Sequence, residues 1–161
     1  MATLTSKIVP HLWFPEDAVT PAKLYVSLLP DSSLDGVTTI PTETPSGPPG
    51  TVQVVEFTLA RQKFMAIRAG PLDPFTHAIS FLVNCEDQAE IDRLWSALSE
   101  GGSVEPCGWL KDRWGVSWQI TAAAMGKMMH DPDRAKAKRV MDAMLRMKKI
   151  VIADLEKAYR G

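Results

Sequence analysis

The sequence predicts an α+β fold in which two βαβββ modules form curved mixed sheets around a cavity, with helices added at the C-terminus. Three observations carry this. The order strand, helix, three strands is legible twice along the chain, a proline-rich joint separates the two runs, and the pattern turns helical after Ala124. With 161 residues and 45% hydrophobic content, the chain suits one domain at 1–161 rather than two ordinary domains and a linker. Module one covers about 6–69, module two about 76–121 and the helical tail about 125–160.

In module one, Lys7 to Phe14 is the first apolar strand, ended by Pro15 and two acids that suit a helix start. A helix is expected from about Glu16 to Leu29 with Ala18, Ala22, Tyr25, Val26 and Leu29 at helical spacing, its main part beginning near Pro21. Leu34 to Ile40 reads as extended, and Thr42 to Gly50, rich in proline and glycine, as a surface loop. Val52 to Leu59 and Lys63 to Arg68 form a hairpin. The joint is Gly70 to Pro74. In module two, a strand over Thr76 to Val83 leads to a helix over about Asp87 to Leu98, stopped by Gly101-Gly102. Short extended pieces at Ser103 to Cys107, Trp109 to Lys111 and Val116 to Thr121 complete the repeat, with Tyr25 and Trp95 at corresponding places in the two helices. In the tail, Asp131-Pro132 reads as cap and first helical position. Val140, Met141, Met144, Leu145 and Met147 make an apolar stripe suited to packing on a sheet or partner subunit, or to an adaptable binding groove.

Composition narrows the function classes. Eighteen basic and 19 acidic residues give a net charge of -1, and the basic run Arg134 to Arg139 has the spacing of a solvated helix face, so no nucleic-acid partner is expected. No stretch approaches the roughly 20 apolar residues of a membrane span, and Met1 to Pro10 lacks a signal-peptide core. A soluble, cytoplasmic protein without a membrane partner is the expectation. Cys85 and Cys107 are far apart and outside any CxxC pair, which argues for two buried thiols over zinc or a disulfide framework.

The segment Trp109 to Ile120 is the most informative. Asp112 and Gly115 form a tight turn, after which Val116, Trp118 and Ile120 alternate with Ser117 and Gln119, so Gln119 lies opposite the tryptophan face. A carboxylate there would suit a hard metal; an amide suits it less. Trp13, Trp109, Trp114 and Trp118 offer an aromatic wall for a planar or apolar ligand, with ordinary core packing as the competing role. Asp112 is either a polar pocket residue or the anchor of its own turn. Glu56, by its alternation a solvent-facing strand residue, belongs to the site only if it points into the cavity beside His11. No GxSxG, HExxH or P-loop pattern occurs.

Several segments together carry a resemblance: Ile8-Val-Pro-His-Leu-Trp-Phe14, Leu24-Tyr-Val-Ser-Leu-Leu-Pro-Asp-Ser32, Val55-Glu-Phe-Thr-Leu59 with Phe64-Met-Ala-Ile67, Ala78-Ile-Ser-Phe81, Val83-Asn-Cys85, Gly108-Trp-Leu-Lys-Asp112, Gly115-Val-Ser-Trp-Gln119, and the tail pieces Met147-Lys-Lys-Ile150 and Leu155-Glu-Lys-Ala-Tyr159. The chain resembles the glyoxalase and bleomycin-resistance, or vicinal-oxygen-chelate, superfamily, in its PhnB-like branch labelled 3-demethylubiquinone-9 3-methyltransferase. The resemblance implies paired βαβββ modules, a homodimer and, in many members, a divalent metal with ligands on the first and last strand of each module. Carried over by position, the metal candidates are His11 on the first strand, His77 on the fifth and Gln119 on the eighth. The fourth position falls near Ala66, so the set is incomplete.

The expected site is therefore a cavity lined by His11, Trp13, Glu56, Trp109, Asp112, Trp118 and Gln119, binding a small, partly apolar molecule. No cofactor is assigned; a divalent metal held by His11, His77 and Gln119 stays open, as does whether the chain is an enzyme. The alternatives are a metal-assisted lyase, isomerase or dioxygenase-type enzyme, and the methyltransferase of the family label. The first strand runs into Phe14-Pro-Glu-Asp17 without the glycine-rich turn of a doubly wound nucleotide site.

Overall fold

The computed structural model describes residues 7–70 and 73–161. The chain divides into two compact units, Met1–Asp73 and Pro74–Gly161, so the break falls at the proline-rich joint. The start of the N-terminal segment, residues 1–6, and Pro71-Leu72 of the joint lie outside the described residues.

The first unit contains β1 (His11–Phe14), α1 (Val19–Leu28), β2 (Ser33–Thr39), β3 (Gln53–Leu59) and β4 (Gln62–Arg68), in the sheet order β1-β4-β3-β2. Only the β1–β4 pair is parallel. Alternation decides what each face does. Leu12, Phe14, Val55, Phe57, Phe64 and Ala66 are buried on one face together with Ala22 and Tyr25 of α1, while His11, Trp13, Glu56 and Met65 occupy the other. The Asp17 carboxylate accepts from the backbone N–H of Val19 and Thr20 at 2.8 and 3.2 Å, giving α1 its N-terminal cap. Pro21 sits inside the first turn, where its missing N–H costs nothing, and the helix begins at Val19, near Pro21 as the sequence suggests, rather than at Glu16.

The second unit repeats the plan. β5 (Phe81–Cys85), α2 (Gln88–Ser99), β6 (Ser103–Val104), β7 (Trp109–Lys111) and β8 (Ser117–Ala122) give the order β5-β8-β7-β6, again with one parallel pair, β5 with β8. Asp87 caps α2 through Glu90 N–H at 2.8 Å. Ile91, Leu94 and Leu98 of α2 are buried with Leu110, Trp118 and Ile120. Tyr25 is buried to 1% exposure whereas Trp95 is half-exposed, so the fully buried Leu94 rather than Trp95 has the role that Tyr25 has in the first unit.

The strand expected over Thr76–Val83 begins only at Phe81. Thr76 Oγ1 accepts from Ala78 N–H at 3.2 Å, a local turn that competes with the ladder, and His77 lies in that turn.

The tail forms α3 (Ala123–Met129), α4 (Arg134–Met144) and α5 (Ile152–Arg160). Asp133, not Asp131, caps α4, accepting from Ala135 and Lys136 N–H, because Pro132 is followed by a second acid one residue nearer the helix. The apolar stripe of α4 is buried only at Ala137 and Val140; Met141 and Leu145 are exposed. Arg139 leaves the solvated face and donates to the carbonyls of Ala158 and Tyr159 at 2.9 and 3.1 Å, satisfying the end of α5. The side chain of Gln88 accepts from Ile152 N–H and donates to Ile150 O, so α2 holds the approach to α5.

Candidate functional site

Each sheet has one face covered by its helix, and the candidate residues sort by strand parity. In the first unit His11 is in register with Met65 and Met65 with Glu56, so these three share a row on the helix-free face. Glu56 is thus on the same face as His11, with Met65 standing between the two polar groups. Trp13 lies on the same face, 41% exposed, its indole N–H donating to Ala69 O at 2.8 Å. Ala66 is on the opposite face, fully buried between Leu12 and Val55. The partner of His11 on β4 is therefore Met65 and not Ala66, because a shift of one residue along a strand reverses the side chain.

In the second unit the corresponding row is Leu82, Gln119 and Trp109, in register across β5, β8 and β7. Gln119 Nε2 donates to Ser80 Oγ at 2.9 Å. Trp109 is half-buried, with the His77 ring centroid 5.7 Å from its own, and His77 Nε2 lies 3.2 Å from a Glu105 carboxylate oxygen. His77 is thus brought near Trp109 by a turn that also sets it beside Glu105, and Leu82 takes the strand position beside Gln119. Two residues before Gln119 on the same face, Ser117 is buried and its hydroxyl has no hydrogen-bond partner among the described residues.

Asp112 and Trp118 belong elsewhere. Trp118 is 2% exposed on the α2 side and donates its indole N–H to Asp112 Oδ2 at 3.0 Å. Asp112 Oδ1 accepts from Trp114 and Val116 N–H at 2.9 and 3.0 Å. The pair fixes the β7–β8 turn, in which Gly115 has φ +88°, and cannot share a surface with Gln119. Trp114 is half-exposed under the Arg113 guanidinium.

The family model described as 3-demethylubiquinone-9 3-methyltransferase matches residues 6–121. The chain belongs to that family. A PhnB protein from Bacillus cereus, described as a putative 3-demethylubiquinone-9 3-methyltransferase, is 34% identical over 73% of this chain and 100% of its own, with a TM-score of 0.62. The fosfomycin resistance protein FosX from Listeria monocytogenes shares the fold at 10% identity over 78% of this chain and 97% of its own, TM-score 0.54. A mutant of that FosX complexed with Mn(II) and a dihydroxypropylphosphonic acid aligns at 13% identity over 73% of this chain and 93% of its own, with a TM-score of 0.47, too loose a fit to place a metal here. No curated protein matches. The family is a PhnB-like branch of the vicinal-oxygen-chelate superfamily, with the glyoxalase fold.

Within this family member, the donor set can be tested against a divalent metal. Among the described residues no three His, Cys, Asp or Glu side chains come together to hold an ion. At the paired first- and last-strand positions the first unit has His11 with Met65, and the second has Leu82 with Gln119. A thioether is a poor ligand for a hard cation, a leucine is none, and the amide of Gln119 brings no charge to compensate one. In neither unit do these residues fit a hard divalent metal. Strand alternation from Gln119 already marks Ser117 in the sequence; Ser80, Leu82 and Met65 emerge only from the register.

Among the described residues no helix is long and apolar enough to cross a membrane. Neither sheet has the doubly wound parallel order that carries a nucleotide-like methyl donor.

Proposed function

We propose that this chain binds a small, partly apolar molecule on the face of the second unit's sheet that carries Trp109 and Gln119, with His11, Trp13 and Glu56 as the candidate binding residues of the first unit's own sheet. The observation that carries the reading is the row Leu82, Gln119, Trp109, where an amide anchored by Ser80 is flanked by exposed and half-exposed apolar side chains. Convergent polar groups on an otherwise apolar surface are what small-molecule sites use. Homodimerisation and a cytoplasmic location are part of the same proposal.

The second reading is a metal-assisted lyase, isomerase or dioxygenase-type reaction, favoured by His11 and Glu56 sharing one face. Methyl transfer, as in the family's description, is the third, and it needs a site for a methyl donor. Native mass spectrometry and elemental analysis of the purified full chain distinguish them. A retained organic mass without a stoichiometric metal is the expected result. One metal per chain, lost in His11→Ala, would replace the first reading with the second, and saturable calorimetric heat with S-adenosylmethionine would favour the third. A chain of monomeric mass across a concentration series would remove the dimer.

A further inference from the structure

We propose that the tail adds a second site, a cavity between α4 and α5 that takes a small molecule carrying an oxyanion, phosphate or carboxylate, on an apolar body. The cavity has a volume of about 580 Å³, a size that suits small ligands, and its lining residues fall within 139–161. That stretch lies wholly beyond residues 6–121, the part matched by the family model. The site is therefore separate from the sheet faces, and its test is independent of the reading proposed for them.

Positive charge is concentrated there. Residues 130–161 hold nine basic and five acidic side chains, a net of +4 in a chain whose net charge is -1. Three of the nine, Arg139, Arg146 and Lys157, line the cavity. Arg139 is half-buried, and its Nε and Nη2 donate to the carbonyls of Ala158 and Tyr159 at 2.9 and 3.1 Å, which fixes the guanidinium plane and leaves Nη1 unengaged among the described residues. Arg146 follows α4, a place where arginine often caps the last carbonyls. Those of Met141, Ala143 and Met144 already accept the backbone N–H of Leu145, Arg146 and Met147, so the guanidinium is not spent on the helix. Neither Arg146 nor Lys157 has an ion pair or side-chain hydrogen bond among the described residues. Of the two acids in the lining, Asp142 is paired with Lys138 at 2.5 Å, which leaves Asp154 as the one unpaired side-chain carboxylate against three cations.

Cations gathered around one concavity raise the local concentration of anions, and a guanidinium matches the paired oxygens of phosphate or carboxylate. Ala143, Met147 and Ala158 supply the apolar part of the lining, and the thioether adapts to the shape laid on it. A bare anion would leave that surface uncovered.

The test titrates phenylphosphonate, benzoate, benzamide and inorganic phosphate into the full chain, labelled at its methionine and alanine methyl groups, and reads the NMR signals of Ala143, Met147 and Ala158. Phenylphosphonate and benzoate are expected to shift all three saturably. Benzamide has the ring without the charge and inorganic phosphate the charge without the ring, so each should bind at least about fivefold more weakly than phenylphosphonate. Arg146→Gln with Lys157→Gln should weaken phenylphosphonate at least about tenfold, the effect of two charge-assisted contacts discounted for their exposure to solvent. Arg134→Gln with Lys148→Gln removes the same charge from the tail outside the cavity and should weaken it no more than about twofold. Equal losses in the two double variants would reveal a diffuse positive field instead of a site and overturn the proposal. Benzamide or inorganic phosphate binding as tightly as phenylphosphonate would overturn it too, as would methyl signals that stay still at millimolar phenylphosphonate and benzoate.

Discussion

Trp118 and Asp112 are joined by an indole N–H donated to Oδ2 at 3.0 Å, inside the second unit where Asp112 is 3% exposed. One carboxylate thereby satisfies a buried indole and two backbone N–H groups of the turn that sets the β7–β8 register. Asp112→Ala removes both carboxylate oxygens and with them all three of these hydrogen bonds. The expected loss is about 3 kcal/mol, or roughly 6–12 °C in Tm. Trp118→Phe loses that one bond and part of the buried indole's volume but leaves the two backbone N–H groups of the turn capped, and the double substitution should cost less than the two singles added. Thermal unfolding of the set checks this; a strictly additive pair would mean the bond contributes nothing.

The β3–β4 turn invites the opposite experiment. Ala60 and Arg61 have φ of 45° and 70°, the left-handed region that a two-residue hairpin turn requires and that glycine and asparagine occupy most easily. Backbone bonds from Ala60 N–H to Ser32 Oγ and from Arg61 N–H to Asp31 O hold it in place. Ala60→Asn with Arg61→Gly should retain both bonds and raise stability by about 1 kcal/mol. A fall in Tm would show that these side chains make contacts worth more than the backbone relief.

These two turns also show what the sequence makes legible. Asp112 and Gly115 announce a turn because their chemistry is local, and the alternation that follows correctly puts Gln119 and Trp118 on opposite faces. The repeated strand, helix, three-strand order is legible for the same reason. Which residue stands beside His11 is not local. Ala66 and Met65 are neighbours in the chain, and only the parallel register of β1 on β4 chooses Met65. His77 misleads through a short turn that looks like the start of a strand, and Ser80 acquires meaning only once β5 lies along β8. The cap at Asp133 instead of Asp131 is a shift of two residues between competing acids on either side of Pro132.

Cys85 closes β5, and burial, then the Glu90 carboxylate, push its thiol up to about 12. At pH 8 only about one molecule in ten thousand would carry a thiolate there. A Cys107→Ser chain, left with this single thiol, should therefore be inert to a disulfide reagent when folded and react fully in guanidinium. Reaction at the rate of a free thiol would refute the buried environment of β5's end.

Asp131 and Tyr159 are joined by a hydrogen bond from the phenol to the carboxylate, tying the approach to α4 to the last turn of α5. That bond is the leading cause of a lowered Asp131 pKa, below 3.8, and of a raised Tyr159 pKa, above 10.0. The signs define a window. A lowered carboxylate contributes stability that is present above its ordinary pKa and lost as pH falls through the lowered value; a raised phenol contributes stability present below its ordinary pKa and lost as pH rises through the raised one. Between about pH 5 and 9 both contributions are intact, so Tyr159→Phe should lower Tm by a constant amount there. The difference should shrink toward acid, as Asp131 is protonated, and toward alkali, where a tyrosinate facing Asp131 and Asp133 would leave the phenylalanine chain the more stable. Melting curves of both chains across the range test this, and a difference that stays constant at either extreme would show that the pair is not linked to the docking of α5.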